Sequence, residues 1–175
     1  MKFIKFIDVI NEEVGKIISF IVLVIFLVIL TEVMLRYVFN APTVWGNELS
    51  QMLFGAYIVL SGGYVLLYRQ HVNVDLLYSR FSVKGKAIVD IFTFILFIIF
   101  AGMLLYYSSS MAWESLTTLE HSQSAWNPPV YPVKLMIPLG SLLLLLQGIA
   151  KLIHDIAVVM HGTKGQIQTQ EKESL

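Results

Sequence analysis

Apolar residues along this chain gather in four long runs, and most polar ones fall in the stretches between them. The runs extend approximately from Ile17 to Val38, Leu49 to Tyr68, Ala87 to Trp113 and Tyr131 to Ile156. Each supplies the roughly 20 residues that a helix needs to cross about 30 Å of hydrocarbon, where every backbone N–H and C=O must be satisfied within the segment. The pattern predicts an all-α integral membrane protein: a single domain over residues 1–160 with four transmembrane helices. Ahead of the first run, Phe3, Phe6, Ile7, Ile10 and Val14 share one helical face, while Lys2, Lys5, Glu12, Glu13 and Lys16 fall mostly on the other. That periodicity predicts an amphipathic interfacial arm over residues 2–15. Leu76, Leu77 and Phe81 beside Arg80 predict a second arm over 75–83. The end of the chain, residues 161–175, has almost nothing to bury and is expected to be a disordered tail.

Composition supports the membrane reading, since 57% hydrophobic against 14% charged residues leaves too little polar surface to cover a globular domain of this length. Twelve basic and twelve acidic residues cancel, so no overall field points to nucleic acid as a partner. Cysteine is absent, which excludes disulfides, a thiol nucleophile and thiolate metal ligands. The apolar run behind the N-terminal lysines is too long for a signal peptide and no small-residue cleavage site follows, so the N-terminus is expected to be retained.

Local charge sets the orientation, because basic loop residues resist translocation. With the N-terminus inside, Lys2, Lys5, Lys16, Arg69, Arg80, Lys84, Lys86, Lys151, Lys164 and Lys172 lie on the cytoplasmic side, against only Arg36 and Lys134 outside. The expected topology is therefore N-in and C-in. Trp45, Trp113 and Trp126 then all fall near the outer interface, where an indole is favoured.

An ionisable group in hydrocarbon is costly unless paired or hydrated, which singles out Glu32, Arg36 and Glu48. Glu32 and Arg36 are four apart on one helical face and Glu48 opens the next helix, so the three are expected to form an ion-pair cluster clamping the first two helices. His71, His121, His154 and His161 lie in loops or at helix ends, which disfavours a haem between facing imidazoles, and no metal-ligand spacing occurs. No cofactor, metal, catalytic residue or substrate-binding residue is expected. Gly55 and Gly62 in the second run, and Gly140 and Gly148 in the fourth, are candidates for close helix packing, either within the domain or against a helix of another subunit. The segment before the fourth run, with Trp126, Asn127, Pro128, Pro129 and Tyr131, is stiff and sparsely charged. Together with Trp45 it is the candidate docking surface on the outer side. Pro132 suits the first turn of a helix, and Pro138 is expected to bend it.

Three stretches resemble the small membrane (Q) subunit of tripartite ATP-independent periplasmic (TRAP) transporters. In RYVFNAPTVWGNELS, residues Arg36, Tyr37, Phe39, Trp45 and Glu48 match an Arg-Tyr-x-Phe pattern followed by Trp-x-x-Glu. In RQHVNVD, residues His71, Val72, Val74 and Asp75 match a His-Val-x-Val-Asp motif at the cytoplasmic end of the second span. The third stretch is WNPPVYPVKLMIPLG, with Trp126, Tyr131, Ile137, Pro138 and Gly140. The likeness covers about residues 5 to 160. It implies a bacterial inner-membrane scaffold that packs against a large (M) membrane subunit and helps to dock a periplasmic substrate-binding protein, within a sodium-driven importer of an organic acid. Sialic acid and C4-dicarboxylates are the cargoes that the resemblance implies, with sialic acid favoured on overall likeness alone. A reading from a different class is a small four-helix multidrug exporter that exchanges protons through Glu32, against which Arg36 stands one turn away to neutralise the carboxylate.

Overall fold

The computed structural model describes residues 2–68 and 83–161. His71, Val72, Val74 and Asp75 lie outside the described residues, as do nearly all of the expected 75–83 arm and the tail beyond residue 161. The described residues form four helices: α1 (Lys2–Tyr37), α2 (Gly46–Leu67), α3 (Val83–Thr117) and α4 (Tyr131–His161). All four are long and apolar enough to cross a membrane. The protein is an all-α, multi-pass membrane protein.

Helix α1 runs without a break through the expected arm and the expected first span. Neither proline nor an unfavourable run of β-branched residues interrupts it near Gly15. At 1.5 Å per residue its 36 residues reach about 54 Å, well beyond the hydrocarbon thickness. Helix α4 likewise runs unbroken through Pro138, with Pro132 in its first turn, where a missing N–H costs nothing.

The helices stand in a row, α1 against α2, α2 against α4 and α4 against α3, with α1 also reaching α4 at one end. Among the described residues α4 is the main support of α3. Small residues explain the closest of these contacts. At Gly140 an added Cβ would collide with the backbone carbonyl of Val59, and Gly148 leaves room for the ring of Phe97. Val59 beside Gly140 and Gly62 beside Leu144 give α2 and α4 the same direction. On α3 the buried residues Ala101, Ser108, Ala112 and Ser115 recur at helical spacing and form a narrow, small-residue seam. Of the four glycines singled out from the sequence, Gly140 and Gly148 sit at tight contacts, Gly62 makes an ordinary one, and Gly55 faces open space.

Helix α1 buries only a stripe, Ile7, Asn11, Gly15, Ile18, Ile25 and Glu32. Phe20, Leu23, Phe26, Leu27, Leu30 and Met34 remain exposed around it. Toward its N-terminal end a polar node ties it to the middle of α4. The Gln147 amide donates to Asp8 Oδ1 at 2.9 Å, and its carbonyl accepts from Asn11 Nδ2 at 2.8 Å. Asn11 also donates to the Ile7 carbonyl at 3.2 Å and is 1% exposed. Gly63 on α2 makes this possible, because a Cβ there would overlap the Asn11 amide oxygen. Lipid offers no water to satisfy such amides, so the Asn11 and Gln147 side chains pair, while the Asn11 Oδ1 is left without a partner among the described residues.

Candidate functional site

The two interhelical loops at one end of the row, residues 38–45 and 118–130, carry most of the expected docking residues. In the first, Asn40 adopts φ 54°, a left-handed conformation that asparagine tolerates, and the Ala41 N–H returns to the Leu35 carbonyl at 2.9 Å. The chain then folds back over Glu32. Arg36 donates to Glu32 Oε1 from Nε at 3.1 Å and from Nη2 at 2.5 Å. The other oxygen, Oε2, accepts from the Thr43 N–H at 3.2 Å and from the Thr43 hydroxyl. The Thr43 hydroxyl oxygen in turn accepts the Gly46 N–H at 3.1 Å. This caps the start of α2, which receives no side-chain cap from Trp45. Glu32 is thus the anchor of a loop, its carboxylate engaged on both oxygens.

Glu48 stands apart from this pair. Its carboxylate accepts the Ser124 hydroxyl at 2.5 Å, joining the first loop region to the second. Helical spacing brings Glu32 to Arg36, but Glu48 points toward the 118–130 loop instead, and Thr43 takes the place expected of it.

The second loop begins where α3 ends. Leu119 adopts φ 47° while the Glu120 N–H bonds the Ser115 carbonyl at 3.0 Å and the Leu119 N–H bonds Leu116 at 3.2 Å. This is a Schellman closure with leucine in the position usually held by glycine. Two backbone bonds close the loop, Val130 N–H to Glu120 at 3.0 Å and Ser122 N–H to Pro128 at 2.9 Å, about a bridge between His121 and Pro129. Ser124 accepts the Asn127 N–H at 3.1 Å, holding Asn127 at φ 52°. Lys134 grips both oxygens of Glu120, at 2.7 and 2.5 Å. That ammonium is the main reason the Glu120 carboxyl is held below its ordinary range.

On this end Asn127 and Pro129 are exposed, Trp45, Trp126 and Tyr131 are half-buried, and Pro128 is buried. Val44 is also strongly exposed beside Trp45. The loops form a braced, mixed polar and aromatic surface. Among the described residues no three metal-ligating side chains are gathered. What the surface offers is shape and hydrogen bonding. The sequence reading missed Thr43 and Ser124, whose roles depend on partners 11 and 76 residues away. It also missed the Asp8, Asn11 and Gln147 node, for which a lone glutamine in the run LLLLLQG was an available signal.

A search of the curated proteins finds no match to the chain. The family model described as "Tripartite ATP-independent periplasmic transporters, DctQ component" matches residues 25–158, taking in α2, α3, most of α4 and the last third of α1, which carries Glu32 and Arg36. With more than three quarters of its length matched, the chain belongs to the DctQ family, the small membrane (Q) subunits of TRAP transporters.

Proposed function

We propose that this chain is the non-catalytic scaffold of a sodium-driven TRAP importer of an organic acid, of the sialic acid or C4-dicarboxylate type. It packs against the large (M) membrane subunit, and its 38–45 and 118–130 loops help to dock the periplasmic substrate-binding protein. It lies in the bacterial inner membrane with both termini cytoplasmic, in the orientation that the basic residues favour. The carrying observation is the open row of helices. Such an arrangement leaves broad apolar faces on α1 and α3, with Tyr106 72% exposed, and offers them to a neighbour. Glu32 supports the scaffold over the exporter reading, because its carboxylate is engaged by Arg36 and Thr43.

Co-purification in mild detergent, with a tag at the C-terminus and the large subunit co-expressed, tests the reading. A stable one-to-one complex is expected. A homodimer that leaves the large subunit behind and carries out proton-coupled flux alone refutes it. Docking is tested separately with Gln123→Lys, an exposed site in the second loop. Asn127→Lys is less suitable, because φ 52° would strain a lysine. Binding-protein-dependent uptake is expected to fall while complex yield holds, and equal loss of both counts against a docking role.

A further inference from the structure

A cleft of about 250 Å³ opens between α1 and α2, lined by Ile29, Glu32, Val33, Arg36, Asn47 and Ser50 among others. Its depth can be read from α2. At 1.5 Å per residue the 22 residues of α2 span about 33 Å, close to the hydrocarbon thickness, so Gly46 marks one boundary of the apolar layer. Glu32 lies level with Gly46, which a Cβ would push against the Glu32 carboxylate. Arg36, one turn farther out, is then about 6 Å into the headgroup region, and Ile29 about 4 Å inside the hydrocarbon. The cleft therefore straddles the boundary, polar above and apolar below.

The two halves match the two halves of a lipid. Arg36 spends Nε and Nη2 on Glu32, and its Nη1 makes no hydrogen bond among the described residues; its side chain is 48% exposed. Ile29 and Val33 are 48% and 44% exposed on the same side of α1. A guanidinium matches phosphate oxygens by geometry as well as charge. The Glu32 and Arg36 pair is neutral as a whole, so the selection comes from the remaining donors and not from a long-range field.

We infer that this cleft holds a membrane glycerophospholipid of the leaflet at the loop end, with its phosphate on Arg36 and an acyl chain along Ile29 and Val33. Zwitterionic and anionic headgroups bind comparably, because the phosphate is the recognised group. Neither diacylglycerol, which lacks it, nor inorganic phosphate, which lacks the chains, is held.

Native mass spectrometry of the delipidated full chain tests this, titrated with dioleoylphosphatidylethanolamine and, in parallel, with dioleoylglycerol and inorganic phosphate. Phospholipid alone is expected to be retained. Arg36→Gln is expected to lower the apparent affinity about tenfold, the loss of a charge-assisted hydrogen bond. Val33→Trp, which fills the cleft from its apolar wall without touching the ion pair, should weaken binding to a similar degree. If Arg36→Gln loses helicity, Val33→Trp decides alone. Unchanged retention in the folded variants, or equal retention of dioleoylglycerol, overturns the inference.

Discussion

One added methyl group should lower stability at Gly140 but not at Gly55 or Gly102. At Gly140 an alanine Cβ would meet the carbonyl oxygen and carbon of Val59, along with its Cγ1. A backbone carbonyl inside a helix cannot rotate away, so α2 and α4 must separate along their seam. Overpacking of this kind costs about 1–3 kcal/mol, and a backbone obstruction belongs at the upper end. Alanine recovers about 1 kcal/mol over glycine in a helix, which leaves a net loss of about 2 kcal/mol. For a chain of this size that is a fall of about 4–8 °C in the unfolding midpoint. At Gly55, and equally at Gly102, nothing lies within 4 Å of the added atom. Only the propensity gain remains there, so those alanines should leave the midpoint unchanged or raise it slightly. Thermal unfolding in mild detergent, followed by loss of the monodisperse species, reads all three variants. If Gly140→Ala melts no lower than Gly55→Ala, the α2–α4 contact is not the close approach described here.

Three further outcomes follow from the polar contacts. Arg36→Ala should strip the guanidinium from the buried Glu32 carboxylate and loosen the loop it anchors, so that the Thr43 and Gly46 amides exchange about tenfold faster with deuterium; unchanged protection refutes the anchor. The Glu120 carboxyl is held low mainly by Lys134, so its stabilising contribution is complete above its ordinary value of 4.5 and is lost as pH falls through the lowered folded value. The midpoint should therefore be insensitive to Glu120→Gln in its slope from about pH 5 to 8, whereas the wild-type acid limb should be the steeper one, by a modest amount for so exposed a pair. Gln147→Leu leaves Asp8 and Asn11 without their partner and should cost about 1 kcal/mol. It should also make the N-terminal end of α1 more sensitive to protease at Lys5, and wild-type resistance there would refute the node's role.

The spans were legible because bilayer crossing imposes a length and a composition, and those are local properties of the sequence. The continuity of α1 was less legible. An amphipathic arm and a fully apolar span differ in composition at Gly15, yet both follow the same helical period and no breaker separates them. The Glu32 and Arg36 pair was readable from spacing, since residues four apart on a helix are neighbours whatever the tertiary structure. Glu48 shows the limit of such reasoning. Its position at the start of α2 placed it near the pair in sequence, but the rotation of α2 about its axis, set by the contacts of Val59 and Gly63 with other helices, turned it toward Ser124 instead. Gly55 makes no close contact within the described residues for the same reason: its residue type fits, but its face is turned away from the chain's other helices.

Helix α1 shows why a row persists where a closed bundle would bury more. In lipid, apolar side chains gain little by leaving the acyl chains for one another, so association rests on close backbone approach and on polar groups that need partners. Between Ile18 and Ile25 the buried stripe of α1 is thin. The helix is fastened at two ends instead, by Glu32 to Thr43 beside the first loop and by Asn11 and Asp8 to Gln147 toward the other end. Each fastening fixes rotation as well as distance, so the exposed face with Phe20, Leu27 and Met34 stays turned outward and cannot roll into the seam. On the scaffold reading that is what the subunit has to supply: a wide apolar face held at a set angle. Releasing both fastenings together should therefore disturb assembly with the large subunit more than it disturbs helix content, because the apolar spans remain helical in lipid while their orientation is lost.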